Sequence, residues 1–217
     1  MAFESPLEVK VWGDLACFTR PEMKVERVSY PVMTPSAARG VLEAIFWKPE
    51  FAWRVGEIWV LNPIEYVSIR RNEVNTRASE RSAREWMQRG GGYVASEDRA
   101  QRHTVALRDV AYLIRAAPEP RSGQTADAAK FRDQFRRRVA RGQCFATPYL
   151  GCREFSAAFA PPDGGERPMG GTVDLGRMLR DIDYAPDGTG RGTPRFFDAA
   201  LTDGVLRVPP GVPAREG

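Results

Sequence analysis

The stretch TPSAARGVLEAIFWKP, residues 34–49, decides the fold class. Thr34 ahead of Pro35 reads as a helix start: a hydroxyl for the unpaired N–H groups, then a residue with preset φ and no donor of its own. Ala38, Val41, Leu42 and Ile45 recur on one face at helical spacing, and Pro49 closes the run. On both sides of this helix the period changes to two. LEVKVW (7–12) alternates apolar and polar and reads as a strand, broken by Gly13 and Asp14; KVERVSYPV (24–32) is a second extended stretch. Downstream, RVGEIWVLNPIEYVSIRR (54–71) reads as one long strand or two, with Pro63 as a bend or edge position. TVALRDVAYLI (104–114) returns to strand character. A strand–helix–strand–strand order suits a ferredoxin-like, RNA-recognition-like antiparallel sheet, so the expected class is α+β.

Between these strands, residues 72–100 are polar, arginine-rich and end in Gly90-Gly91-Gly92, which predicts an exposed, mobile loop with a short helix around SAREWMQR. A Pro/Gly/Ser stretch, PEPRSGQ (118–124), comes next. The helix ADAAKFRDQFRRRVARG follows, with Phe131, Phe135 and Val139 every four residues and Gly142 as its C-cap. Short apolar runs separated by Gly and Pro fill the remainder and predict β-hairpins. The expected organisation is a ferredoxin-like domain over 1–120, then over 121–217 a basic helix and a smaller C-terminal antiparallel β-sheet.

The 217 residues carry a net charge of +4 and a pI of about 9.1, with 42% hydrophobic and 28% charged residues, in the globular range. No apolar run approaches the roughly 18 residues of a membrane span, and no signal peptide is evident, so a cytoplasmic protein without a membrane partner is expected. Arginine greatly outnumbers lysine, and its planar fork suits phosphates and base edges; a GC-rich genome produces the same skew. Cys17, Cys144 and Cys152 lack CxxC spacing and the chain has one histidine, so reduced structural thiols are expected and no metal or cofactor. GGERPMGG (164–171) and GRG (190–192) lack the Lys-Ser/Thr that would make a phosphate-binding loop, and no GxSxG or HExxH is present.

Two features point towards nucleic acid. On the helix over 126–141, Lys130, Arg132, Arg136, Arg137, Arg138 and Arg141 read equally well as a phosphate-tracking surface or as a solvated face favoured by the helix dipole. The second feature is His103, the sole histidine, with Arg99, Arg102 and Arg108 near it in sequence. A lone histidine is more often structural. Yet a ribonuclease that uses the RNA 2′-OH as nucleophile needs little beyond a proton carrier and a cation for the charged phosphorane. Phe46, Trp47, Trp86 and Tyr93 are candidates for base stacking, against the reading of aromatics as core.

EVKVWGDLACFTRPEMKVERVSYPVMTPSAARGVLEAIFWKP (8–49), QRHTVALRDVAYLI (101–114), YLGCREFSAAF (149–159) and the blocks LGRMLRDIDYAPDG and PRFFDAALTDGVLRVP resemble, in order, the subtype I-C (Dvulg) CRISPR-associated endoribonuclease, the "d" variant of the fifth Cas family in the repeat-associated RAMP superfamily. The resemblance implies metal-independent cleavage of the repeat hairpin in precursor crRNA, retention on the 5′ handle of the mature crRNA, and partnership with the other subunits of a type I-C surveillance complex. It also implies a tyrosine, lysine and histidine active site. The family's tyrosine falls on Phe46, which has no proton to transfer. His103 with Arg102, and Lys48, are the residues available for the rest; Tyr30 and Tyr93 are further candidates, and Trp47, Arg99, Arg108 and the cations of the 126–141 helix are the expected RNA contacts. A non-catalytic subunit that binds the crRNA handle is the alternative function. Basicity alone adds a general binder of double-stranded nucleic acid, including double-stranded DNA.

Overall fold

A computed structural model describes residues 6–23, 25–76, 79–121, 128–185 and 189–210. Along the chain lie β1 (Leu7–Ala16), β2 (Arg27–Val28), α1 (Pro35–Ile45), β3 (Phe51–Val60), β4 (Glu65–Val74), α2 (Glu80–Arg89), β5 (Arg99–Pro120), α3 (Ala128–Ala140), β6 (Ala158–Ala160), β7 (Val173–Tyr184), β8 (Gly192–Thr202) and β9 (Val205–Arg207). Helix α1 begins as its sequence dictates: the Thr34 hydroxyl accepts from the Ala37 N–H at 3.3 Å, and Pro35, Ala38, Val41, Leu42 and Ile45 are buried.

All nine strands form one sheet in the order β6-β1-β5-β3-β9-β8-β7, with β2 and β4 also paired to β5. Strand β5 organises the molecule because its two ends have different partners. Its C-terminal part lies between β1 (Leu7↔Ala116 to Ala16↔Leu107) and β3 (Phe51↔Pro120 to Val60↔Tyr112), where Leu113, Ile114 and Ala116 are buried. Its N-terminal part pairs with β4 from Glu65↔Arg108 to Val74↔Arg99, forming a two-stranded arm with α2 near its tip. The two regimes meet at Asp109, which the β1 register skips and which has a positive φ of 50°. The Asn62 amide donates to the Asp109 carbonyl at 2.7 Å and holds this bulge.

Helices α1 and α3 cover the sheet with a ring cluster in which Phe51 packs on Phe131 at 4.8 Å and Trp53 on Phe135 at 4.8 Å. Residues on both sides of position 120 share this sheet and core: β6 and β9 hydrogen-bond β1 and β3, and α3 supplies Phe131, Phe135 and Val139. Three stretches take a more definite form. Within the loop expected over 72–100, the expected short helix around SAREWMQR is α2, while 72–74 complete β4 and 99–100 open β5, because an arm paired on one side needs little apolar patterning. The Pro/Gly/Ser stretch at 118–124 is strand as far as Pro120, and residues 122–124 lie outside the described residues. Of the extended stretch 24–32, Arg27 and Val28 are strand, and Ser29 bridges to Thr19. No helix among the described residues is long and apolar enough to cross a membrane.

Candidate nucleic-acid interface

Phe46 closes α1 and its ring turns inward, 4% exposed, against Phe51 (5.6 Å) and Phe131 (6.4 Å). Of the two readings of this aromatic, base stacking and core, its burial supports the core. The side chain that follows Ile45 at helical spacing meets the aromatic face of α3, and the Trp53 indole N–H fixes the Phe46 carbonyl at 2.8 Å. The next two residues point out: Trp47 is 51% exposed and Lys48 is exposed. On α3, burial of Phe131, Phe135 and Val139 forces their neighbours to the rim. Lys130, Arg136 and Arg137 are exposed there, and Arg141 just beyond the helix is exposed too. Gly142, with φ +61°, ends the helix as its sequence predicts.

Arg138 is different. It is half-buried, its guanidinium carbon sits 6.0 Å from the centre of the Phe46 ring, and its Nε is enclosed without a hydrogen-bond partner among the described residues. Phe145, missed by sequence reasoning, is 85% exposed and lies shortly after Arg141 in the chain, its N–H bonded to the Ala44 carbonyl at 2.7 Å. Its signal was weak: one aromatic in a Gly/Pro-rich segment, past the end of a helix.

His103 lies elsewhere. It is exposed on β5 opposite Arg70 of β4, and its backbone N–H donates to Glu26 at 2.5 Å. Arg102 pairs with the same carboxylate at 3.9 Å and reaches Asn75 at 3.5 Å. Arg99 is exposed at the start of β5, and Arg108 is held by Glu65 at 2.6 Å. Phe46 packs on Phe51, whose β5 partner is Pro120, 17 residues from His103. At roughly 3.3 Å per residue that is on the order of 50 Å along the strand. The predicted residues therefore form two groups, Phe46, Trp47, Lys48 and the α3 cations at one end, and His103, Arg102, Arg99 and Arg108 along the N-terminal half of β5. Among the other candidates, the Tyr30 hydroxyl is buried and accepts the Leu179 N–H at 3.1 Å. Tyr93 stacks on Trp86 at 6.3 Å and binds Asp98 at 2.8 Å near the arm tip. Among the described residues no group of three or more His, Cys, Asp or Glu side chains is arranged to hold a metal ion.

The family model for Cas5d, described as CRISPR-associated protein (Cas_Cas5), matches residues 6–209. The chain belongs to the Cas5d family. It is similar to the CRISPR pre-crRNA endoribonuclease Cas5d of Mannheimia succiniciproducens, 45% identical over 217 residues that cover 94% of this chain and 95% of the relative. The protein of the same name from Thermus thermophilus is 47% identical over 219 residues, covering 94% of this chain and 91% of the relative. A solved structure described as a CRISPR-associated protein superposes with a TM-score of 0.69 at 22% identity, covering 98% of this chain and 96% of the other, which shows a shared fold. In this Cas5d chain Phe46 packs against Phe131 and Arg138 of α3, so Trp47 and Lys48 leave α1 at the end of the molecule that carries the α3 cations.

Proposed function

We propose that this chain is an endoribonuclease that cleaves repeat hairpins in precursor CRISPR RNA, stays bound to the 5′ handle, and serves as a subunit of a type I-C surveillance complex. The carrying observation is identity of 45–47% across 94% of the chain to relatives named for pre-crRNA cleavage. We place the RNA on the rim formed by Trp47, Lys48, Lys130, Arg136, Arg137, Arg138 and Arg141, which has cations for phosphates and exposed rings for unpaired bases. In this chemistry the 2′-hydroxyl gives up its proton to water, its oxygen attacks the adjacent phosphorus, the bond to the 5′-oxygen breaks as that oxygen takes up a proton, and the products are a 2′,3′-cyclic phosphate and a free 5′-hydroxyl. At this rim the ammonium groups of Lys48 and Lys130 are suited to protonating the leaving oxygen, and Arg138 to stabilising the phosphorane. The β1–α1–β3–β5–α3–β6 series reads as a ferredoxin-like unit; the order β6-β1-β5-β3 with two helical crossovers supports this.

One observation favours a second reading, a handle-binding subunit without catalysis. The rings that meet at position 46 are Phe46, Phe51 and Phe131, which carry no hydroxyl or imidazole, and His103 lies at the opposite end of β5. Incubation with the host's own repeat RNA in EDTA tests both. Unit-length products with 2′,3′-cyclic phosphate ends, lost when the 2′-OH at the cut is replaced by hydrogen, support cleavage. Tight binding with intact RNA supports the second reading, and a strict Mg²⁺ requirement overturns the mechanism.

A further inference from the structure

Where the arm joins the body, far from the rim, two cysteines meet. Cys17, at the end of β1, is fully buried; Cys152, on the 148–156 turn, is 9% exposed. The Cys17 N–H donates to the Leu150 carbonyl at 3.0 Å, and the Cys152 thiol donates to the Cys17 carbonyl at 3.6 Å. Gly151 permits this approach: it has φ +84°, and a β-carbon there would stand 2.2 Å from the Cys17 oxygen. The Thr19 hydroxyl sits between the sulphurs, 3.5 Å from Cys17 Sγ and 3.9 Å from Cys152 Sγ. The Arg27 guanidinium caps Cys152 Sγ at 3.4 Å. A buried structural thiol needs neither a cation nor a second thiol facing it.

We propose that Cys17 and Cys152 form a peroxide-oxidisable dithiol, with Cys152 the attacking thiol and Cys17 the resolving one. Charge supports these roles. The neighbouring Cys17 thiol lowers the Cys152 pKa against the opposing effects of burial and Glu154, with help from Arg27, while Cys17 is raised. The Cys152 thiolate attacks one oxygen of hydrogen peroxide; an S–O bond forms, the O–O bond breaks, and the departing hydroxide takes a proton to become water. The Cys17 sulphur then attacks the sulfenic sulphur. An S–S bond forms, the S–O bond breaks, and the hydroxyl leaves as a second water with the Cys17 proton. Two thiols lose two electrons and one peroxide becomes two waters. The bond would tie the end of β1 to the turn whose Glu154 holds Arg27 at 3.1 Å and also pairs with Arg71 of the arm. Oxidation thus staples the root of the arm.

The test treats the full-length protein with graded hydrogen peroxide, denatures it, alkylates free thiols and maps them by mass spectrometry. Exposed Cys144 is the internal comparison. The expected product is 2 Da lighter before alkylation, takes one alkyl group, at Cys144, and yields a linked Cys17–Cys152 peptide pair. Arg27→Gln should slow its formation at pH 7 by about tenfold, since less thiolate is present. Cys17→Ser should leave Cys152 as a sulfenic acid that dimedone traps. The proposal is overturned if Cys144 oxidises while Cys17 and Cys152 both stay alkylatable, or if the linkage found involves Cys144.

Discussion

Replacing Arg137 and Arg141 together by glutamine separates a phosphate-tracking helix from a merely solvated one. Both side chains are exposed at the end of α3, so the change should leave stability within about 0.5 kcal/mol of the parent. Arg138 is the wrong choice, because it is half-buried over the Phe46 ring and its loss would disturb packing as well as charge. Arg136 is also less clean, since it already pairs with Asp133 at 3.5 Å. Each single-strand phosphate contact contributes about 0.7 to the slope of log affinity against log salt, so losing two should flatten the slope by about 1.4. Between 50 and 200 mM salt, a span of about 0.6 log units, the parent should then weaken about sevenfold more than the variant. The assay is fluorescence anisotropy with a labelled repeat RNA at four or more KCl concentrations, repeated with a scrambled RNA. Both RNAs should lose the same increment, because phosphate contacts position without reading sequence. An unchanged slope refutes the placement of RNA on this rim and moves its path towards the arm.

Three further expectations follow from named contacts. His103→Ala should leave the cleavage rate within about twofold, since the residue lies far along β5 from the rim; a drop of about 10²- to 10⁴-fold, as for a lost proton carrier, would bring the chemistry to the arm root. Burial opposes ionisation of Glu166, yet the N–H groups of Asp163 and Gly164 (3.0 Å each) and the Lys10 ammonium (3.2 Å) outweigh it and carry its carboxyl down to about 2. Its stabilising effect is therefore complete above the unfolded value near 4.3 and fades as pH falls towards 2. The Tm gap between parent and Glu166→Gln should accordingly shrink between pH 5 and pH 2.5, and a gap that stays constant would refute the charge assignment. Gly151→Ala should lower Tm by about 4–8 °C or more, because both the positive φ and the Cys17 carbonyl oppose a β-carbon. Gly40→Ala in the exposed middle of α1, with nothing within 4 Å, should instead raise Tm slightly; equal effects at the two glycines would show that crowding at Gly151 relaxes.

Local chemistry made the helices legible. The Thr34-Pro35 start of α1, the aromatic spacing of α3 and its Gly142 stop each rest on contacts within four residues. Pro63 likewise separates β3 from β4 as the sequence suggests, because a residue without an N–H cannot sit inside a ladder. Strand pairing was less legible. β5 spans 22 residues, but only its middle and C-terminal parts are flanked by β1 and β3; its first residues face β4 alone and can be polar. Three-residue strands such as β6 and β9 carry too little pattern to announce themselves, yet they join the C-terminal segments to the main sheet. The separation of His103 from Phe46 was hidden for the same reason. It depends on which residue of β5 pairs with Phe51, a non-local choice made by turn positions and the bulge at Asp109.

The rim and the core are made from the same few turns of chain. Buried Phe46 is followed directly by exposed Trp47 and Lys48; buried Phe131 is preceded by Lys130; buried Phe135 is followed by Arg136 and Arg137, and buried Val139 is preceded by Arg138. Each cation is thus one or two residues from a ring or branched side chain locked in the α1–β3–α3 cluster, so its backbone cannot drift without disturbing that packing. A surface built this way loses less freedom when it takes up a phosphate chain than cations on a loop would, and more of its electrostatic attraction remains as affinity. Phe46 fits that role better than a proton carrier would. A ring sealed to 4% exposure between Phe51 and Phe131 contributes rigidity beneath Arg138, whereas a buried hydroxyl would need a partner of its own. The physical demand at position 46 in this chain is therefore first for packing, and under the proposed RNA placement the proton transfer falls to Lys48 and Lys130 beside it.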